Sequence, residues 1–263
     1  EESIMEEAIG SKIADYLINQ HKDKKRFENL SGELLPVSPD EAYLAQFQFQ
    51  TRALRGPLGG FKIALSSITQ QELCGINTPI AGGIFLKEIF HNKHQISLNE
   101  YHGLGLEFEL AFRISKQIFP NDFKKRDLNL LSSIDNIYPA FELIIDRNAD
   151  YKNLDALTLI ADNAWSAGVV LGNPILNWEN LNLEKLNSTL HWNDESIITA
   201  HINSANPLNS LEWIINHLGK QGKTIPKGSI IITGSVIQTR KPSQGDKIIY
   251  KIEDLSEVEV LIV

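Results

Sequence analysis

Two glutamates two residues apart, Glu107 and Glu109, stand in the run Leu104-Gly105-Leu106-Glu107-Phe108-Glu109-Leu110-Ala111-Phe112. The run alternates, with Leu104, Leu106, Phe108, Leu110 and Phe112 on one side and Gly103, Gly105, Glu107, Glu109, Ala111 and Arg113 on the other. That is the period of a β-strand. Both carboxylates therefore leave the strand on one face, with about 6.7 Å of strand rise between their Cα atoms. Each can lean inward to reach a shared cation at about 2.1 Å, and the glycines beside them leave room above that face. A half-buried strand with an acidic outer side has the same pattern. Glu142 is harder to explain as surface. It interrupts the apolar run Tyr138-Pro139-Ala140-Phe141-Glu142-Leu143-Ile144-Ile145, where a charged carboxylate costs several kcal/mol unless it is paired, protonated or metal-bound. The alternative is a strand edge at which Glu142 reaches solvent. Lys62, in Gly60-Phe61-Lys62-Ile63-Ala64-Leu65, either snorkels outward or faces a pocket that holds an anion.

Other patterns carry less. The approach Gly56-Pro57-Leu58-Gly59-Gly60-Phe61-Lys62 lacks the Gly-Lys-Ser/Thr ending of a phosphate loop. His91 and His94 have the spacing of one helix face but lie in a polar segment, and a solvated loop is the expectation. Thr233-Gly234-Ser235 follows a strand-like run and either presents hydroxyls and N–H groups to an anion or is a plain turn. Ser66 and Ser67 sit in no nucleophile elbow, and nothing marks a Ser-His-Asp triad.

The elements that must position these groups read as follows. Residues 3–21 form an amphipathic helix through Ile4, Ala8, Ile9, Ile13, Ala14 and Leu17, and a polar loop follows over 22–32. Ser38 caps a second helix that begins at Pro39 and runs to about Arg55. Strands are expected over 61–65, 104–114, 138–145, 196–202, 229–233, 247–252 and 258–263. Helices are expected just after Thr69, with Thr69 and Glu72 as a capping box, and over 122–133, 154–170 and 207–219. Many short strands with a few helices between them point to an α+β fold or β-rich roll rather than a doubly wound sheet. The pattern changes at Gly56, which divides the chain into a helical N-terminal region, 1–55, and a β-roll region, 56–263.

With 263 residues, 42% hydrophobic and 22% charged, the composition is that of an ordinary globular protein. Lys plus Arg total 25 against 33 Asp plus Glu, and the net charge of −8 argues against a nucleic-acid partner. Cys74 is the single cysteine, so neither an intrachain disulfide nor a thiolate metal cluster can form. No apolar run approaches the roughly 18–20 residues of a membrane span. The sequons at Asn29 and Asn187 carry little without a secretory context, and a cytoplasmic protein is the expectation, although the chain opens at Glu1 rather than a methionine.

The ordered set Gly60-Phe61-Lys62-Ile63-Ala64-Leu65, Glu107-Phe108-Glu109 and Ala140-Phe141-Glu142 resembles the 2-keto-4-pentenoate hydratase and 2-oxo-acid decarboxylase branch of the fumarylacetoacetate hydrolase superfamily. Residues 79–83, Ala161-Asp162-Asn163-Ala164, Gly172, Asn206-Pro207-Leu208-Asn209 and Thr233-Gly234-Ser235 extend the resemblance in the same order, from about residue 36 onward. The resemblance implies a mixed β-roll catalytic domain with a small helical N-terminal region, and a divalent Mg2+ or Mn2+ held by Glu107, Glu109 and Glu142. It implies Lys62 as the catalytic lysine, and Lys62, Ser66, Phe108, Asp162, Thr233 and Ser235 as substrate-binding residues. It further implies a small-molecule 2-oxo acid substrate from aromatic catabolism, bound through its carboxylate and 2-oxo oxygen, and assembly as a homo-oligomer. The implied reaction is hydration of a 2-hydroxy-2,4-dienoate to a 4-hydroxy-2-oxo acid. Decarboxylation of a 4-oxalocrotonate-type diacid and hydrolysis of an acylpyruvate are alternatives, and a catalytically silent binding module is another. The chain departs from the family after Glu142. The usual Glu-x-x-Asp-Ser-Arg reads Glu142-Leu143-Ile144-Ile145-Asp146-Arg147, which puts Asp146 and Arg147 in question as site residues.

Overall fold

The computed structural model describes residues 1–122 and 129–263. Two helices lead: α1 (Glu2–Lys22) and α2 (Pro39–Arg52), the second capped by the Ser38 side chain, which accepts from the Glu41 N–H. Next come β1 (Leu58–Ala64), α3 (Ile68–Cys74), β2 (Ile80–Phe85), β3 (Ile89–His91), β4 (His94–Ile96), β5 (Leu104–Ile114) and β6 (Ile134–Ile145). The chain continues through α4 (Ala156–Ala161), β7 (Ser166–Leu171), β8 (Asn187–Trp192), β9 (Ile198–His201), α5 (Pro207–Lys220), β10 (Ile230–Ile232), β11 (Lys247–Ile252) and β12 (Ser256–Ile262). The fold is α+β.

The strands form a seven-stranded sheet of order β2-β1-β10-β5-β6-β7-β3 and a five-stranded sheet of order β4-β12-β11-β8-β9. Most neighbours are antiparallel, but β1 with β10, β3 with β7 and β4 with β12 run parallel. The alternation of β5 decides how the sheets meet. Leu104, Leu106, Phe108, Leu110 and Phe112 enter the main core with Tyr250, Val258, Val260, Leu190 and Trp192 of the second sheet and with Leu211, Ile214 and Leu218 of α5. The opposite face of the large sheet carries the acids and a smaller apolar cluster that includes Ala111, Ala140, Val169 and Ile232. β6 is covered on both faces, which is why its sequence is almost continuously apolar.

Helices α1 and α2 pack through Ile13, Ala14, Leu17, Ala45 and Phe49, and Ala161 of α4 joins that cluster. Only the second half of the α1 apolar stripe is buried, because Ile4 and Ile9 face solvent. Three expectations differ from the structure. The stretch 154–170 is not one helix. α4 ends at Ala161, Asn163, Ala164 and Trp165 turn with φ of 55°, 50° and 60°, and the remainder is strand β7. The small and β-branched run Ser166-Ala167-Gly168-Val169-Val170-Leu171 fits a buried sheet position better than a helix. Helix α3 starts two residues earlier than expected, with Ser67 and Gln70 making the reciprocal capping box. His91 and His94 lie on β3 and β4 instead of a loop, and His94 stacks on Phe90. The expected helix over 122–133 falls largely on 123–128, outside the described residues; residues 131–133 form a 3-10 turn.

Candidate metal centre

In the β5–β6 ladder Glu107 lies directly opposite Glu142, and Glu109 lies opposite Ala140. Paired residues share a sheet face, so all three glutamates project together, and one oxygen from each falls within 4.8 Å of the others. Oxygen ligands at about 2.1–2.6 Å around one ion span up to about 4–5 Å, so this spacing suits a single hard cation.

Lys62 reaches the cluster from β1. It is in register with Ile232 of β10, and Ile232 with Ala111 of β5, one strand repeat from Glu109 on the same face. Strand β10 is only three residues long. Where it stops, nothing regular separates β1 from β5, and a cavity of about 650 Å³ opens, with Lys62 and Glu107 in its lining. The Lys62 Nζ lies 2.5 Å from Glu142 Oε1 and donates to the Ala164 carbonyl at 2.7 Å.

That carbonyl is delivered by the left-handed turn after α4. The Asn163 side chain fixes the turn by accepting from Gly83 N–H at 2.8 Å and from Gln50 at 2.9 Å and by donating to the Gly83 carbonyl. The turn comes close to β2 because Gly82, the partner of Lys62 across the β1–β2 ladder, has no side chain. A Cβ there would stand 2.7 Å from the Asn163 carbonyl oxygen.

The electrostatics follow from burial. Glu107 is pushed up to about 7, first by loss of solvation and then by the charge of Glu142. The same two causes hold Glu109 well above the usual carboxylate range. Burial alone would lower Lys62, but the surrounding carboxylates, Glu142 foremost, outweigh it and keep the ammonium charged. Fully ionised, three acids against one ammonium would leave an excess of negative charge inside the protein, which the raised Glu107 and Glu109 relieve by holding protons. Among the described residues, no aligned hydrogen-bond donor reaches Glu109 Oε1 or either oxygen of Glu142, the short approach of Lys62 being off-line. Buried carboxylate oxygens without donors, in an all-oxygen set, fit a divalent hard cation such as Mg2+.

The cavity wall gathers Ser66 and Ser235 from the expected substrate-binding set, together with Tyr151, Trp165, Thr239 and Lys241. Thr233 is buried next to Gly234, and its hydroxyl has no partner among the described residues. The structure does not bring Phe108 or Asp162 to the cavity. Strand alternation turns the Phe108 ring the other way, against Phe141, Trp192 and Tyr250. Asp162 is engaged elsewhere, by His21 of α1 at 2.6 Å and by Arg147 at 3.2 Å. Those contacts keep its carboxyl low despite burial. Asp146 accepts from the Tyr151 hydroxyl at 2.7 Å and pairs with Lys241. Asp146 therefore braces two residues of the cavity wall, whereas Arg147 is held by Asp162 and the Lys25 carbonyl. Thr239, whose hydroxyl donates to Glu107 Oε1 at 2.9 Å, carries no sequence signal that would have singled it out.

No family model matches the chain. It is 27% identical over 204 residues to a 2-keto-4-pentenoate hydratase of Paraburkholderia xenovorans, covering 76% of this chain and 75% of that one. It is 24% identical over 258 residues to a 4-oxalocrotonate decarboxylase of Pseudomonas putida, covering 95% and 96%. Among solved structures, the 4-oxalocrotonate decarboxylase of Pseudomonas putida G7, complexed with magnesium and adipate, superposes with a TM-score of 0.84 over 97% of both chains at 21% identity. The relatives fall in the hydratase and decarboxylase branch that the sequence resembles, and the fold is that of the decarboxylase.

Proposed function

We propose that the chain is a metal-dependent lyase acting on a 2-oxo acid, with Glu107, Glu109 and Glu142 holding Mg2+ or Mn2+ and Lys62 as the catalytic residue. The observation that carries this reading is the convergence of three buried glutamates and one buried lysine at the edge of a cavity of about 650 Å³. When bound, the cation supplies Lewis-acid polarisation of an oxygen of the substrate. The chain supplies the rest. Lys62 Nζ, kept charged by the carboxylates and aimed by the Ala164 carbonyl, holds a proton beside the reacting centre or pairs with the substrate carboxylate. Ser66 offers a hydroxyl, the Ser235 hydroxyl being engaged by the backbone of Phe108 and Ile237, and Leu154, Leu159, Trp165 and Val236 give the substrate tail an apolar wall.

In the hydratase reading a 2-hydroxy-2,4-dienoate gives up its 2-hydroxyl proton and takes a proton at C5 to become the conjugated ketone, and water adds across C3 and C4, its oxygen at C4, to give a 4-hydroxy-2-oxo acid. A second reading is loss of carbon dioxide from a vinylogous 2-oxo diacid. It is supported by the match with a decarboxylase over 95% of this chain and 96% of that one. Work within aromatic catabolism, in the cytoplasm and as a homo-oligomer, belongs to the same proposal.

The test supplies 2-hydroxypenta-2,4-dienoate and 2-oxo-3-hexenedioate separately, with Mg2+ and with a chelator. Mg2+-dependent loss of the diene absorbance with formation of the 4-hydroxy-2-oxo acid supports the hydratase. Carbon dioxide release from the diacid supports the decarboxylase. A chain that binds Mg2+ and turns over neither is a silent binding module.

A further inference from the structure

The segment after β10 does more than line the cavity. It continues along β5 as an irregular strap: Val236 N–H donates to the Phe108 carbonyl at 3.0 Å, and Arg240 and Leu106 exchange backbone hydrogen bonds at 3.0 and 2.9 Å. The Ser235 hydroxyl accepts from the Phe108 N–H at 2.9 Å. At its far end, Arg240 lies over the Trp192 ring and pairs with Glu195, and Lys241 pairs with Asp146. The strap is thus tied to β5 at Leu106 and Phe108, the residues on either side of Glu107.

This register sets one donor of the strap against each acid of β5. Gly234 N–H donates to Glu109 Oε2 at 3.2 Å, and the Thr239 hydroxyl donates to Glu107 Oε1 at 2.9 Å. Gly234 holds φ at 123°, a conformation that favours glycine. One oxygen of each carboxylate is occupied, which fixes its rotation. The other is left over, and Glu109 Oε1 is a buried oxygen with no hydrogen-bond partner among the described residues. From this geometry we propose that the strap presets the metal site, with Thr239 as the positioning residue that turns Glu107 to offer a single oxygen to a divalent cation. The proposal rests on the metal-dependent reading above and deepens it: the wall that meets the substrate is the same segment that orients two of the three carboxylates.

The test titrates metal-free protein with Mn2+ alone and Mg2+ alone by calorimetry, for the unaltered chain, Thr239→Val, Thr239→Ala and Thr239→Ser, with circular dichroism as the check of folding. Loss of the hydroxyl in Thr239→Val or Thr239→Ala should weaken binding by about 10- to 100-fold, the range found when a partner of a metal ligand is removed, while Thr239→Ser, which keeps the donor, should stay within about threefold. Folded valine and alanine variants that bind both ions as tightly as the unaltered chain would overturn the proposal, as would a serine variant that loses as much as they do. The unaltered chain failing to bind either ion would instead overturn the functional reading, and this proposal with it.

Discussion

Lys62→Met removes a charge with little change of shape, and the structure sets the size of the effect. The Lys62 and Glu142 side chains are 3% and 1% exposed and 2.5 Å apart. Taking away one partner of a buried pair destabilises by about 3–5 kcal/mol, because the other charge is left uncompensated. For a chain of this size each kcal/mol moves the melting temperature by about 2 °C, so metal-free Lys62→Met should melt roughly 6–10 °C below the unaltered protein. Saturating Mg2+ should close most of that gap, since the ion then neutralises the carboxylates. The affinity of the variant for Mg2+ should equal or exceed that of the unaltered chain, because the ammonium no longer repels the ion, while turnover should be lost. Melting followed by circular dichroism, in chelator and in Mg2+, reads the first two effects, and calorimetry and kinetics read the others. Equal melting of the two proteins in chelator, or a gap that Mg2+ leaves untouched, would refute the electrostatic argument. An unchanged kcat/KM would remove Lys62 from the site.

Three further outcomes are expected. Glu142→Gln should abolish Mg2+ binding without unfolding the chain, as measured by calorimetry alongside circular dichroism, because it deletes one of three anionic ligands but keeps the side-chain volume. The stability of metal-free protein should fall as pH rises from about 4.5 to about 7, because the folded chain keeps the Glu107 proton that the unfolded chain releases over that window. Denaturation in urea across that range reads the slope, and Mg2+ should flatten it. Gly82→Ala forces a Cβ to within 2.7 Å of the Asn163 carbonyl oxygen, so the turn must shift, at about 1–3 kcal/mol of stability by urea denaturation and with a loss of kcat as Lys62 loses its carbonyl partner.

The acids were legible because a strand writes its two faces into the sequence. The alternation of β5 placed Glu107 and Glu109 together, and the isolated charge in the apolar run of β6 marked Glu142. Helix α2 was legible from Ser38 and Pro39, because capping is a local interaction. What stayed hidden depends on distant pairing. Nothing in residues 154–170 reveals that Ser166–Leu171 pairs with β6 and β3. The placement of Lys62 depends on parallel pairing with β10, about 170 residues along the chain. Asp162 reads as a site acid until His21 and Arg147 are seen to claim it. Phe108 lies between two of the clustered glutamates in sequence but on the far side of the strand in space. Thr239 is one hydroxyl in an irregular segment, and only the tertiary register gives it a role.

Because β5 turns its greasy residues toward the core between the sheets and its acids toward the cavity side in strict succession, inserting or deleting a single residue between Leu104 and Glu109 would exchange the two sets at one stroke. The chemistry and the filling of the interior are thus locked to the same count. A lineage carrying this strand is free to change side chains one at a time but has almost no latitude in length, so indels should accumulate elsewhere and leave this ribbon untouched.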